Sequence, residues 1–177
     1  MDYYCYHGFA PKGMPRITGR HFYYLNFTAI KLLPKGKKDK ILANPNYRDL
    51  DHWIFLEIEC AIKNGYGLIL AKPRQVGLSE LGVVNVNYTL TFNYLAEAAI
   101  AAGKDDKVQE FKQKLYSSLN NTHPAYRNFM ETNNDKLMEM FYYDTINKQK
   151  IPSGVNTKAR FKTMFADSGA FEGINNN

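Results

Sequence analysis

The sequence predicts an α/β fold, a sheet flanked by helices, on three observations. The apolar run Leu68-Ile69-Leu70-Ala71 passes into the polar stretch Lys72-Pro73-Arg74-Gln75-Val76-Gly77 and then into Leu78-Ser79. That is the layout of a strand, a phosphate-cradling loop and a helix start. Segments with helical apolar spacing alternate along the chain with short β-branched, aromatic or small apolar runs. Finally, 177 residues with 45 % hydrophobic and 14 % aromatic content suffice for one domain with a proper core, and they argue against disorder.

Taken in order, residues 1–20 are rich in Tyr, Gly and Pro and read as an irregular lead-in with turns. His21 to Ile30 is aromatic and β-branched, which suits a strand. Lys35, Lys37, Lys38 and Lys40, broken by Pro34 and Gly36, read as an exposed hairpin tip, with contact to DNA phosphates the alternative. Residues 1–43 therefore form an N-terminal lead-in with an aromatic strand and a basic loop, and residues 44–177 form the domain that holds the phosphate loop.

From Asn44 the character changes. Asn44-Pro45-Asn46-Tyr47-Arg48-Asp49 gives helix-start signals, the apolar positions from Trp53 to Ile62 have broadly helical spacing, and Asn64-Gly65 closes the helix. Ser79 to Leu95 is expected to be the helix after the loop. Ala96 to Ala102 reads as a second strand, and residues 105–119 read as a charged helix with Val108, Phe111, Leu115 and Leu119 on one face. Met140 to Tyr143 and the Pro152-Ser153-Gly154 turn suggest short strands.

The formal net charge of +6 leans towards polyanions: nucleic acid, nucleotide or membrane phosphate. Many soluble proteins carry the same charge, so the partner stays open at this level. Cys5 and Cys60 are far apart and form no C-x-x-C pair, so neither a disulfide scaffold nor a zinc site is expected. No apolar run reaches the roughly 18 residues of a membrane span. His7, His21, His52 and His123 are scattered, with no H-E-x-x-H pattern, and read as packing or surface residues. There is no G-x-S-x-G elbow, and Ser79 has no base nearby in sequence.

Against the pattern G-x-x-x-x-G-K-[ST], the loop keeps Gly77 and Ser79 but has Lys72 at the first Gly and Leu78 at the usual Lys. Lys72 and Arg74 lie at the other end of the loop, and either could bring a cation to the phosphates from that side. This arrangement resembles the large terminase subunit of tailed bacteriophages, the ATPase that pumps DNA into a procapsid. Some members of that family carry the phosphate-contacting lysine at the loop start, and an Arg-Gln-x-Gly core is frequent there. The segment Gly19-Arg20-His21-Phe22-Tyr23-Tyr24-Leu25-Asn26-Phe27 is also similar to one that precedes the ATPase motif in a branch of the family, as is Tyr47-Arg48-Asp49-x-Asp51.

The resemblance implies a P-loop NTPase sheet of the ASCE type in residues 44–177. ATP and Mg2+ are its cofactors. Lys72 is the relocated Walker A lysine, supported by Arg74, while Gln75, Val76, Gly77, Leu78 and Ser79 supply the phosphate cradle. Ser79 is the magnesium-binding hydroxyl, and Tyr47 and Arg48 lie near the adenine. Phe161-Lys162-Thr163-Met164-Phe165-Ala166-Asp167-Ser168-Gly169 looks like a Walker B strand and its turn, with Asp167 as metal-holding and catalytic carboxylate. An ordinary strand ending in an Asp-Ser-Gly turn is the alternative for that segment. The family usually has two acidic residues there. Ala166 stands at the first, which implies nucleotide binding with impaired hydrolysis.

The same resemblance implies double-stranded DNA as substrate, the portal protein and the small terminase subunit as partners, and a homo-oligomeric ring in the cytoplasm of a bacterial host. It ends just after the Walker B-like turn, so a partial ATPase domain is expected, without the coupling and nuclease portions. The alternative function is a basic DNA-binding or assembly module with an inactive nucleotide site.

Overall fold

The Thr18-Gly19 step sets the architecture of the first part of the chain, because it starts a helix where aromatic content suggests a strand. The structure, a computed structural model, describes residues 2–32, 36, 38–71, 77–141, 143–144, 149–150 and 156–164. It is mixed α/β and divides into two compact units, Met1–Val84 and Asn85–Asn177.

In the first unit, helix α1 (Asp2–His7) and helix α2 (Gly19–Phe27) pack together. Between them a bridge joins Phe9 and Ile17, after Gly8 has turned the chain at φ 80°. The approach of α1 to α2 is closest at Gly19, where a Cβ would overlap the Cys5 carbonyl oxygen and stand 2.7 Å from its carbon. The strand expected at His21 to Ile30 is therefore mostly helix. Thr18 caps it, its Oγ1 accepting from the His21 N–H at 3.2 Å, and the Thr28 hydroxyl closes it by donating to the Tyr24 carbonyl at 2.7 Å. Phe22, Tyr23, Tyr24 and Phe27 are all buried, so the apolar face has no period-2 alternation and burial overrides β propensity.

Strands β1 (Ile30–Leu32) and β2 (Ile41–Ala43) form an antiparallel hairpin, with Lys31 opposite Leu42. Helix α3 (Asp49–Asn64) follows. Gly65 ends it at φ 68°, its N–H returning to the Ala61 carbonyl, as the Asn-Gly pair predicts. The strand expected at Leu68–Ala71 is not formed. These residues pair with no described strand and are exposed, Ile69 at 95 %.

His21 occupies the centre of this unit. Its ring lies between those of Tyr47 (5.4 Å, 25°) and Phe55 (5.1 Å, 18°), with His52 at 5.8 Å. It is fully buried, and among the described residues neither ring nitrogen has a hydrogen-bond partner. Burial, and secondarily the proximity of His52, lowers its pKa to about 4. Above the unfolded value of 6.5 the ring is neutral in both states. As pH falls below that value the unfolded chain takes up a proton that the buried ring refuses. Stability is therefore lost progressively down to pH 4, by about 2 kcal/mol at pH 5. His21→Phe should flatten this slope in denaturant titrations between pH 7 and 4. Equal slopes in both proteins would place the acid sensitivity elsewhere.

Helix α4 (Leu78–Phe92) contains the division between the units. In the second unit, β3 (Glu97–Ala102), α5 (Asp105–Asn120), a 3-10 turn at Pro124–Tyr126, β4 (Phe129–Asn134), β5 (Leu137–Phe141) and β8 (Thr157–Thr163) follow in order, with the two-residue strands β6 (Tyr143–Asp144) and β7 (Gln149–Lys150) paired before β8. The main sheet has the order β3-β8-β5-β4. Its β3–β8 pair is parallel, Glu97 opposite Lys158, and the other two pairs are antiparallel.

Helix α5 packs on β3 and β8 through the face that the apolar spacing predicts, burying Val108, Leu115 and Leu119. On β8, Thr157, Ala159 and Phe161 are buried while Lys158, Arg160 and Lys162 alternate outward. Lys158 and Arg160 meet Glu139 and Glu97 at 3.4 and 3.5 Å. The buried Asn87 amide of α4 donates to the hydroxyls of Ser118 (2.8 Å) and Thr122 (3.0 Å), tying this end of α4 to the end of α5.

Candidate functional site

Arg48 builds the site from below. It is the last extended residue before α3, at φ −139° and ψ 140°. Its guanidinium reaches one helical turn forward to Asp51, with Nε donating to Oδ2 at 2.9 Å and Nη2 to Oδ1 at 2.6 Å. The fork is bidentate and holds the guanidinium in one orientation. Asp51 is fully buried, whereas the Arg48 side chain is 46 % exposed. The hydrogen bond that Arg48 donates to Asp51, strengthened by the carboxylate charge, raises the Arg48 pKa further. Burial, with the Asp51 charge second, raises the pKa of the adjoining Tyr24 hydroxyl, which also bonds to Asp51.

The second wall is the start of α4. Gly77 has φ 80°, a left-handed conformation that suits glycine, and its carbonyl accepts from Glu80 N (3.0 Å) and Leu81 N (3.2 Å). Leu78 and Ser79 are the first residues of the helix, where backbone N–H groups have no intrahelical acceptor and the helix dipole favours an anion. A Cβ at Gly77 would come 3.3 Å from Arg48 Nη2. Glycine thus lets the guanidinium lie directly over the backbone that leads into α4.

Between these walls is a cavity of about 190 Å³, bounded by Tyr24, Leu32, Pro45, Arg48, Gly77 and Glu80 among others. Its floor is apolar and its rim carries a fixed cation beside a helix start. That combination accommodates an anionic group joined to a less polar one. Glu80, a carboxylate in the first turn, sets a limit on how much negative charge the rim attracts.

Of the residues expected to bind phosphate, the structure brings Gly77, Leu78 and Ser79 to this helix start. Lys72, Arg74, Gln75, Val76 and Asp167 lie outside the described residues. Tyr47 is half-buried and packs its ring on His21, in the aromatic layer rather than among the cavity-lining residues. Its neighbour Arg48 is the residue that meets the loop end. Sequence reasoning did not single out Tyr24, Leu32, Glu80 or the role of Asp51. For Asp51 a signal exists: Arg48 and Asp51 are three residues apart at a helix start, the spacing at which a side-chain fork closes.

Among the described residues no group of three or more His, Cys, Asp and Glu side chains could hold a metal ion. No described helix is long and apolar enough to cross a membrane. Compared with known proteins, the chain matches no family model and no curated protein.

Proposed function

We propose that the chain is an ATP-binding domain of a DNA-packaging motor, similar to the large terminase subunit of tailed bacteriophages. The observation that carries the reading is the junction at Gly77. A left-handed glycine leads straight into a helix with a hydroxyl, Ser79, in its first turn, and a fixed guanidinium covers it. A side chain at Gly77 would crowd that space, as expected of a backbone cradle for phosphate. The parallel pair β3–β8, with α5 packed on both strands, supports an α/β architecture.

In this reading the N–H groups of Gln75 to Ser79 hold the phosphates, Lys72 and Arg74 supply positive charge, and Arg48 adds a positioned cation. Ser79 and Asp167 would hold Mg2+, whose contribution when bound is to neutralise phosphate charge. With Ala166 beside Asp167, binding is retained better than turnover. Double-stranded DNA, the portal, the small subunit and a ring of copies are the partners this reading brings with it.

One observation favours a second reading, a basic DNA-binding or assembly module with an inactive nucleotide site. Leu68–Ala71, which a P-loop domain would pair in its sheet, is exposed and unpaired with any described strand. Calorimetric titration with Mg-ATP separates the two. Under the motor reading Lys72→Ala weakens binding roughly tenfold or more, the worth of a charge-assisted hydrogen bond, and Leu78→Ala leaves it unchanged. Absence of binding by a folded wild type decides for the second reading.

A further inference from the structure

The first unit holds a buried imidazole pair that the phosphate site does not use. His21 is stacked between Phe55, which is fully buried, and Tyr47, which is half-buried. His52 flanks the stack, 5.8 Å from His21 and 6.0 Å from Tyr47. Among the described residues neither nitrogen of His21 has a hydrogen-bond partner, nor does Nδ1 of His52. Buried polar atoms are rarely left so, because an unmade hydrogen bond is costly. The pair is also joined to the site through the chain. Tyr47 directly precedes Arg48, His52 directly follows Asp51, and the His52 N–H donates to the Arg48 carbonyl at 3.1 Å.

We propose that His21 is a proton-operated latch on the site: on taking up a proton its ring leaves the stack, and Arg48 withdraws from Gly77. A charged imidazole needs water or an acceptor. The groups around it are Tyr24 on its own helix, Tyr47 before α3 and His52 on α3. Asp51, next to His52, is already engaged by Arg48 and Tyr24. Helix α1, which meets α2 at Gly19, adds the buried Cys5. Of the two stacked neighbours Tyr47 is the one that reaches the surface, so the way to water displaces Tyr47 and with it the backbone of Arg48. Above pH 6.5 the ring is neutral in either position. Below it the open form takes the proton that the closed form refuses down to about pH 4, which favours opening tenfold per pH unit. The gain is about 300-fold over that range, so a latch closed about 30- to 300-fold at neutral pH opens between about pH 5 and 4. The latch rests on the proposed phosphate site for what is released, and not for the movement itself.

The test is nuclear magnetic resonance of the full, isotope-labelled chain without nucleotide, as pH is lowered from about 7 to about 4. Two signals are followed: the ring nitrogens of His21, and the Arg48 Nε–H, whose bonded position reports the fork to Asp51. In wild type both should move at one midpoint between about pH 5 and 4, with helix content by circular dichroism unchanged. In His21→Phe, which keeps a flat ring in the stack, the Arg48 signal should stay bonded throughout. His123→Gln in the second unit, the control for losing an imidazole elsewhere, should behave as wild type.

Separate midpoints in the wild type overturn the proposal, and that comparison needs no variant to fold. So does an Arg48 signal that stays bonded to the lowest pH. An equal shift in His21→Phe overturns it as well, since Asp51 itself would then be titrating. Loss of helix content at the same midpoint would mean acid unfolding of the unit instead of a latch. Mg-ATP titrations at pH 7 and about pH 4.5 then read the site, where affinity should fall further in wild type than in His21→Phe. An equal fall in both overturns the link to the site. No binding at either pH, with Arg48 still following His21, would sink the motor reading alone.

Discussion

Gly19→Ala is expected to destabilise the first unit by at least about 3 kcal/mol. The added methyl group would overlap the Cys5 carbonyl oxygen, and the contacted atoms are backbone, so no side chain can rotate away. Relief requires α1 and α2 to separate, which opens the packing of Cys5, Tyr23 and Phe22, all buried. Overpacking of a side-chain core typically costs 1–3 kcal/mol, and a helix-to-backbone clash belongs at or above the top of that range. Gly13→Ala is the matched control. Gly13, unlike Gly19, has a positive φ, 78°, but nothing lies within 4 Å of a Cβ there, so only the conformational penalty of about 1 kcal/mol applies. Denaturant unfolding followed by Trp53, the chain's one tryptophan and a reporter in this unit, measures both. If Gly19→Ala costs no more than Gly13→Ala, the helices do not approach as closely as described.

Arg48→Met should cost about 3 kcal/mol and disturb the cavity as well. Removing one member of a buried ion pair strands the other, and the stranded group here is the fully buried Asp51 carboxylate, left with the Tyr24 hydroxyl. The guanidinium is half-exposed, so solvent screening holds the effect below the upper end of the range for buried pairs. The double variant Arg48→Met, Asp51→Leu removes the stranded charge and should recover a large part of the loss, though Tyr24 then lacks its acceptor. A double-mutant cycle gives the coupling. Additive losses would mean that the fork contributes nothing to stability. Arg48→Lys is not expected to rescue, because one ammonium cannot span both carboxylate oxygens in this planar geometry.

Much of the second unit was legible in the chain because its signals are local. Val108, Leu115 and Leu119 share a helical face, and Asn64-Gly65 in the first unit announces a left-handed helix end. Thr157 to Thr163 alternates small or apolar with basic residues, so β8 starts four residues before the strand expected from Phe161, with Lys162 on its outward face. The failures have a common cause in tertiary context. At Gly19–Phe27 the aromatic residues suggest a strand, yet a threonine cap and burial on several sides select a helix. At Leu68–Ala71 apolar content alone supplies no strand partner. The helix start at Gly77 to Ser79 was readable from the loop pattern. The guanidinium over it was not, because the Arg48–Gly77 approach joins residues 29 positions apart in the chain.

The placement of β8 has a consequence for how the second unit assembles. Its partners differ in kind: β4 and β5 form a hairpin from adjacent segments, whereas β3 ends at Ala102 and β8 begins only at Thr157. Local pairs close quickly, and a parallel pair across so long a connection must first overcome loop-closure entropy. Until β8 arrives, β3 and the β4–β5 hairpin share no hydrogen bonds, since β8 alone stands between them in the sheet. The last of the described strands of this sheet is therefore its keystone. Truncation upstream of Thr157 would release two separate pieces of secondary structure, each with an open edge, rather than a slightly smaller sheet.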